Sequence, residues 1–282
     1  MPKKNIYIDA QHGLGNRLRA IASGAAIAEQ TGRELVIVWQ ADNHCEAEFQ
    51  DLFDYAGPVL AKSIHQDLTS QFNFYNYMEI EPNSQKDALV TIHDDKHLYV
   101  RTSCVVNNEF SDWNLANQFL RALKPNAYIQ KLLRPYDLGN HVGVHIRMEL
   151  GEGKHVSDYE DDSFLSRKSF ESAQFWRTKS HYAAFINRLE KLFAEDQDVR
   201  VFLASDNSEA YKVLTQTFGD RVEFLSRTFF DRSQKQIQYA LADAILLSRC
   251  KGLIGSSWSS FTELSMRLAP KFNFVEMSGR DF

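Results

Sequence analysis

The sequence has 282 residues, of which 44% are hydrophobic and 24% are charged, and its formal net charge is −5. This is the balance of an ordinary globular protein with enough chain for one large or two modest domains. The pI of about 6.0 disfavours a nucleic-acid-binding protein, which usually presents a strongly basic surface.

The N-terminus and the cysteines indicate the compartment. The apolar stretch around Ile6 and Ile8 is too short for a signal peptide. No run approaches the roughly 20 apolar residues that span a bilayer. The three cysteines form no C-x-x-C pair, which is typical of free thiols in a reducing compartment. We therefore expect a soluble, cytoplasmic protein without a transmembrane segment or a metal cluster.

The first half of the chain begins with a strand, a helix and a second strand, predicted at residues 6–9, 17–31 and 34–39. Such a unit implies a parallel sheet with right-handed crossovers. Residues 40–103 are aromatic and polar, and predict irregular structure with short elements. Further helices are predicted at residues 112–123 and 128–133.

The second half repeats the α/β rhythm after a candidate linker at residues 134–139. Strands are predicted at residues 142–147, 199–205, 222–225, 251–254 and 272–275, and helices at 180–194, 207–218, 234–248 and 260–268. A long polar segment occupies residues 148–178. The pattern predicts an α/β chain of two doubly wound, Rossmann-like domains facing a cleft, with domains at residues 1–138 and 139–282.

In open α/β sheets, ligands bind beyond the carboxyl ends of the strands, and four predicted strand ends carry polar groups. The first is the run from Gly13 through Gly15, Asn16 and Arg17 to Leu18, where glycines allow close backbone approach and the helix start favours an anion. The alternative is a tight turn with Asn16 as the N-cap. A dinucleotide-binding loop fits poorly, because Leu18 occupies the place of the third glycine.

The second strand end is His145-Ile146-Arg147. Residues two apart on a strand point to the same face, so His145 and Arg147 are expected to project together. An arginine at this position can make paired, charge-assisted bonds to a phosphate. The alternative is a salt bridge between Arg147 and a nearby carboxylate.

The third and fourth strand ends each allow a helix-capping interpretation as well as a ligand site. Asp206, with Glu209 three residues later, fits a capping box, and its carboxylate can also accept hydrogen bonds from a guanine edge. The run from Gly255 to Glu263 offers hydroxyls and backbone amides for a phosphate at a helix start. Within it, Ser260 and Glu263 also fit a capping box.

In this order and spacing, the four motifs resemble those of the GT-B fucosyltransferase superfamily, which includes the NodZ-like α-1,6-fucosyltransferases and the protein O-fucosyltransferases. The resemblance spans nearly the whole chain. It implies a GT-B-like fold, with an N-terminal domain on the acceptor side and a C-terminal domain that binds the nucleotide sugar. The expected reaction is inverting transfer of fucose from GDP-fucose to a glycan or another hydroxyl acceptor, without a metal or other cofactor.

The resemblance also implies roles for single residues. Arg147 would hold the β-phosphate of the donor and stabilise the leaving GDP, and Glu152 would be the catalytic base. His145 and Asp206 would contact the guanosine. The other donor-binding residues would be Ser259, Ser260, Phe261 and Thr262 around the diphosphate, with Gly13, Gly15, Asn16 and Arg17 from the N-terminal domain.

Two further observations bear on metals and on rival functions. The triplet Asp196-Gln197-Asp198 has the Asp-x-Asp pattern of metal-dependent glycosyltransferases, but it precedes a strand, so we interpret it as a solvated turn. The acidic residues within 158–162 have no metal-ligand periodicity. The alternative functions are a non-catalytic nucleotide- or glycan-binding protein on the same fold, and an NAD-dependent oxidoreductase.

Overall fold

The computed structural model describes residues 4–148 and 166–282, and the chain divides into two compact units at residues 1–126 and 127–282. Both units consist of helices around a parallel sheet, which confirms the predicted α/β class. None of the helices in the described ranges has the length and apolarity that a membrane crossing requires.

The main sheet of the first unit contains five parallel strands. These are β1 (Asn5–Ala10), β2 (Glu34–Val38), β4 (Val59–Leu60), β5 (Phe72–Asn76) and β6 (His97–Thr102). They lie in the order β4-β2-β1-β6-β5. A small antiparallel pair, β3 (Phe53–Asp54) and β7 (Lys124–Pro125), and the helices α1 (Leu14–Gln30) and α2 (Trp113–Ala122) complete the unit.

The predicted strand–helix–strand start of the chain is confirmed. Ile6 and Ile8 of β1 are fully buried, as the apolar pattern requires. Helix α1 packs closely on this strand because Gly24 has no side chain. A Cβ atom added at Gly24 would lie 2.2 Å from Cγ1 of Ile8, so an alanine there would push the helix away from the sheet.

Residues 40–103, predicted as irregular structure with short elements, contribute three strands to the main sheet, the two-residue β4 and the longer β5 and β6. β6 pairs with β1 and β5 pairs with β6, so both belong to the sheet that carries the first unit. In β6 the polar residues His97 and Arg101 alternate with buried Leu98 and Val100, which is the pattern of a half-buried strand. The sequence therefore contains the signal for this strand.

The second unit has its own sheet of five parallel strands. The strands are β8 (Val142–Ile146), β9 (Val201–Ser205), β10 (Val222–Phe224), β11 (Gly252–Gly255) and β12 (Val275–Met277). The helices are α3 (Ala127–Leu133), α4 (Arg167–Lys179), α5 (Tyr182–Glu195), α6 (Ser208–Phe218), α7 (Gln234–Leu247) and α8 (Ser260–Leu268).

The strand order β10-β9-β8-β11-β12 is that of a doubly wound, Rossmann-like half. In chain order, β9 and β10 are added on one side of β8, and β11 and β12 are added on the other. Crossover connections therefore leave the sheet in opposite directions on either side of the β8–β11 boundary. The crevice at this topological switch point is where open α/β sheets bind their ligands.

Three details of the second unit differ from the prediction. Helix α4 occupies a segment that reads as polar and irregular, because Ala173 is its single buried residue. The last strand begins at Val275 rather than at residue 272. The division between the units lies twelve residues before residue 138, because α3 packs on α7 and so belongs to the second unit.

Candidate functional site

The switch point of the second sheet brings the ends of β8 and β11 together through Ser256. Arg147, which follows β8, donates its backbone N–H to Ser256 Oγ at 2.8 Å. Ser256 Oγ donates to the carbonyl of His145 at 3.1 Å, and the serine is fully buried. Ser256 lies in the fourth motif but outside the predicted site residues, and it fixes the strand end from which the Arg147 side chain projects.

Arg147 and Asp206 form an ion pair at the carboxyl ends of β8 and β9. Nη1 of Arg147 donates to Oδ2 of Asp206, and Oδ1 accepts from the backbone N–H of Met148 at 2.9 Å. The two side chains are 15% and 16% exposed. Arg147 therefore forms the salt bridge that the sequence allowed as an alternative. This salt bridge fixes the position of the guanidinium at the carboxyl edge of the sheet.

The capping alternative for Asp206 was wrong. The N-cap of α6 is the next residue, Asn207, whose Oδ1 accepts from the backbone N–H of Ala210 at 3.0 Å. The Asp206 carboxylate is thus turned toward Arg147 instead of the helix start. A carboxylate at a strand end that is not used for capping supports a role in the site.

His145, Phe261 and Thr262 come together beneath the same strand ends. His145 Nδ1 lies 2.7 Å from Oγ1 of Thr262, and that hydroxyl donates its proton to the carbonyl of Ser256 at 3.0 Å. The Thr262 oxygen must then accept from the imidazole, which places the proton on Nδ1 and makes Nε2 an acceptor. The ring stacks on Phe261 with centroids 4.6 Å apart. His145 is therefore in direct contact with Phe261 and Thr262, as their predicted positions at one edge of the sheet require.

His145 is held in its neutral form. Burial, and then the charges of Arg147 and Arg177, lower its pKa from 6.5 to about 3. The charge of Arg177, on α4, therefore acts on this site, and no sequence pattern distinguishes this arginine from the others of its polar segment. A neutral imidazole with a fixed tautomer presents the same acceptor atom throughout the physiological pH range.

The lowered pKa of His145 predicts a loss of stability in acid. His145 takes up a proton near pH 6.5 in the unfolded chain but only near pH 3 in the folded chain. The folded state therefore has its full stability above pH 6.5 and loses stability as the pH falls below that value. By pH 4.5 the loss should reach about 2.5 kcal/mol. In His145→Asn the amide nitrogen can replace Nδ1 but cannot titrate. Urea denaturation at pH 7.0 and 4.5 should show a smaller change for this variant, and equal changes in both proteins would contradict the prediction.

The serine-rich loop before α8 is a tight turn with unusual backbone geometry. Ser259 is the N-cap, accepting from the backbone N–H of Thr262 at 3.4 Å, so the capping box predicted for Ser260 and Glu263 was wrong, since Thr262 stands at its N3 position. Trp258 has a positive φ of 55° and is 53% exposed. Gly255 is required because a Cβ atom there would lie 2.4 Å from Cγ2 of Thr262. Ser259 and Ser260 therefore lie at the start of a helix, where anions are favoured.

The glycine loop of the first unit differs from its prediction. Helix α1 begins at Leu14 with Gly13 as the N-cap, so Gly15, Asn16 and Arg17 belong to its first turn. Asn16 is not the N-cap, and its Oδ1 accepts from Nη2 of Arg19 at 2.8 Å. The loop is thus shorter than a dinucleotide-binding turn, which further weakens the oxidoreductase alternative.

Arg17, predicted to bind the donor, is directed into the interior of the first unit instead. Its side chain is fully buried, and its guanidinium donates to the carbonyls of His12 and Gln40, both at 2.6 Å, and to Asp42 at 2.7 Å. It also lies over the Trp39 ring at 4.9 Å. These contacts tie the loop to the strand that follows α1, so Arg17 positions the glycine loop from inside the unit.

A second polar cluster, missed by the sequence, lies beyond β9 and β10. Asp243 on α7 is buried and accepts from Nη2 of Arg227 at 2.5 Å. Among the described residues, Oδ1 of Asp243, Nη1 of Arg227 and Oε1 of Gln236 are buried without a hydrogen-bond partner. The Arg227 guanidinium lies 5.2 Å from the Tyr239 ring centre. The ion pair therefore joins α7 to the loop after β10 inside the second unit.

The predicted base Glu152 lies outside the described residues, as do the acidic residues within 158–162. Within residues 4–148 and 166–282, no group of three or more His, Cys, Asp or Glu side chains is arranged to hold a metal ion. The Asp196–Asp198 segment lies between α5 and β9, at the end of the sheet opposite Arg147.

Comparison with solved structures identifies the fold. NodZ alpha-1,6-fucosyltransferase, in a structure soaked with GDP-fucose, matches over 95% of this chain and 94% of its own, with 20% identity and a TM-score of 0.64. Arabidopsis thaliana FUT1 mutant R284K in complex with GDP matches over 97% and 70%, with 12% identity and a TM-score of 0.63. POFUT1 in complex with GDP matches over 98% of both chains, with 12% identity and a TM-score of 0.58.

These matches confirm the expected fold resemblance, since the chain is similar to fucosyltransferases of GT-B type across nearly its whole length. No protein-family model matches the sequence, and neither does any curated protein.

Proposed function

We propose that the protein is an inverting, metal-independent glycosyltransferase that transfers fucose from GDP-fucose to a glycan or another hydroxyl acceptor. The observation that carries this proposal is the Arg147 cluster at the β8–β11 switch point. It combines a fixed guanidinium, a neutral histidine and a helix start in one crevice. Structures with this fold have been solved with GDP and with GDP-fucose, which supports this donor.

Arg147 would act on the leaving group. In an inverting transfer the acceptor oxygen forms a bond to C1 of fucose while the bond from C1 to the diphosphate oxygen breaks, and the electron pair leaves on the β-phosphate. A guanidinium and backbone amides aimed at that phosphate stabilise the developing charge. Arg147, with the amides at the start of α8, would therefore supply the charge stabilisation that a divalent metal provides in other transferases.

The proton of the acceptor hydroxyl needs a base, and Glu152 keeps this proposed role. His145 is unsuited to it, because burial and the two arginines disfavour its protonated form. Its Nε2 atom would instead accept a hydrogen bond from the guanosine, as the resemblance implies. Asp206 would contact the guanosine from the end of β9.

A thermal-shift panel tests the donor. We expect GDP and GDP-fucose to raise the melting temperature in the presence of EDTA, while UDP, ADP and their sugars at equal concentration produce a clearly smaller shift. Loss of the GDP shift in EDTA would contradict metal independence, and an equal response to all nucleotides would contradict guanine selection. Turnover of GDP-fucose, including slow hydrolysis, separates an enzyme from a non-catalytic binding protein.

A further inference from the structure

The first unit has its own topological switch point, between β1 and β6, and a polar network fills it. Asp9 pairs in register with Arg101, and Arg101 pairs with Asn76 on the next strand. We call the following residues the edge network: Asp9, Ser63, His65, Glu81, Tyr99 and Arg101. It lies at the carboxyl ends of parallel strands, where such sheets bind ligands.

Asp9 is the fixed centre of the edge network. Its carboxylate is fully buried, and Oδ2 accepts from Ser63 Oγ at 2.6 Å, from the Tyr99 hydroxyl at 3.0 Å and from Arg101 Nη1 at 3.0 Å. Burial, reinforced by the neighbouring carboxylate, raises the pKa of Tyr99 above its ordinary value, so this hydroxyl keeps its proton and donates. The single proton of Ser63 is therefore committed to Asp9.

This commitment determines the tautomer of His65. Its Nδ1 atom lies 2.8 Å from Ser63 Oγ, which must accept because its own proton goes to Asp9. The imidazole then carries its proton on Nδ1 and presents Nε2 as an acceptor. Neutral histidine in water prefers the other tautomer, so the chain Asp9–Ser63–His65 prepares Nε2 to receive a hydrogen bond.

An aromatic surface lies beside that acceptor. The ring of Phe74, on β5, lies 6.4 Å from the His65 ring with an interplanar angle of 26°. Phe74 is 41% exposed although it belongs to a sheet strand. The exposed ring of Phe74 offers a flat surface on which the C–H face of a sugar ring packs.

The charges of the edge network favour a neutral ligand. Arg101 donates to Asp9 and, through Nε and Nη2, to Glu81, so one cation is shared by two carboxylates. Burial opposes the charge of Glu81, but the bonds from Arg101 hold its pKa below the usual value. The two carboxylates and the single guanidinium of the network sum to a net negative charge, which repels phosphates and carboxylates.

We propose that the edge of the first sheet lined by His65, Phe74, Glu81 and Arg101 binds a neutral saccharide, whose ring packs on Phe74 and whose hydroxyl donates to Nε2 of His65. Glu81 and Arg101 bind neighbouring hydroxyls, while Ser63 and Asp9 are positioning residues that act through His65. Binding itself does not depend on the proposed transfer. The identification of this saccharide as an acceptor does rest on the proposed function.

The full chain is first tested against an array of neutral oligosaccharides, and the affinity of the strongest binder is measured by saturation-transfer NMR. Phe74→Ala and His65→Ala should each weaken binding by about tenfold, the cost of one stacking surface or one hydrogen bond. Leu89→Ala, an exposed apolar residue of the same unit outside the network, is the matched control and should change it less than twofold. All three variants should keep the thermal shift with GDP, so a failed donor site is distinguishable from a failed saccharide site.

The tautomer of His65 can be measured directly, and it would not depend on Ser63 if that residue had only a structural role. Long-range 1H–15N spectra should show His65 protonated on Nδ1 in the wild type, and Ser63→Ala should shift it toward the Nε2 form. The proposal is overturned if no neutral saccharide binds the wild type, or if both ring variants bind as tightly as the control. Preference for a phosphorylated saccharide over its neutral counterpart would also overturn it.

Discussion

Arg147→Ala should weaken GDP binding by about 100-fold or more, because two charge-assisted hydrogen bonds to a phosphate contribute roughly 1.5–3 kcal/mol each. The guanidinium is held at the carboxyl end of β8 by Asp206 and by the bond between its backbone and Ser256. Isothermal titration with GDP in EDTA measures the loss. The GDP affinity of Arg147→Lys should lie between those of the wild type and Arg147→Ala, since lysine keeps the charge without the planar fork.

The competing interpretation is that Arg147 serves only its salt bridge with Asp206. In that case Arg147→Ala would bind GDP as the wild type does and would show only a change in melting temperature. Arg167→Ala is the matched control, because Arg167 forms an exposed ion pair with Glu171 on α4 of the same unit. Surface pairs of this kind contribute little, and its GDP affinity should be unchanged.

The sequence predicts which strand ends meet around Arg147, because buried parallel strands are largely apolar runs. β8, β9 and β11 are identifiable on that pattern, and the polar residues that follow them must lie at one edge of the sheet. The strand-end rule therefore predicted that His145, Arg147, Asp206 and the residues before α8 lie close together, which the contacts confirm, while their roles in donor binding stay predictions. Ser256 was within reach of the same rule, being the first residue after β11.

The sequence could not predict which of two neighbouring residues is the N-cap of a helix. Asp206 and Asn207 both have good capping side chains, as do Ser259 and Ser260, and in each pair one residue is the cap. The choice depends on backbone angles that differ by a single position. Where Asn207 caps the helix, Asp206 becomes available to Arg147, so a one-residue difference decides whether a carboxylate belongs to the site.

The Asp243 cluster was beyond the sequence for a different reason. Asp243 stands alone among apolar residues of α7, and its partner Arg227 lies in the loop after β10. A single acid on an apolar helix face is compatible with several partners. The fold alone brings the two residues together, as it brings Asp9 and Arg101 together across β1 and β6.

Asp243→Asn should destabilise the free protein at pH 7 by roughly 3–5 kcal/mol, because it leaves the buried Arg227 guanidinium without its carboxylate partner. Burial raises the pKa of Asp243 from 3.8 to about 6, although Arg227 opposes the shift. The folded state therefore favours the protonated acid, and this stabilisation is complete below pH 3.8 and is lost as the pH rises through about 6. Asparagine does not titrate, so the stability of the variant should depend less on pH between 4 and 7 than that of the wild type. Urea denaturation between pH 4 and 7 measures both stabilities.

Glu209→Gln is the matched control, because Glu209 is an exposed acid on α6 of the same unit, and its stability should be that of the wild type. Equal stability of Asp243→Asn and the wild type at pH 7 would show that the buried Arg227 guanidinium does not depend on this carboxylate.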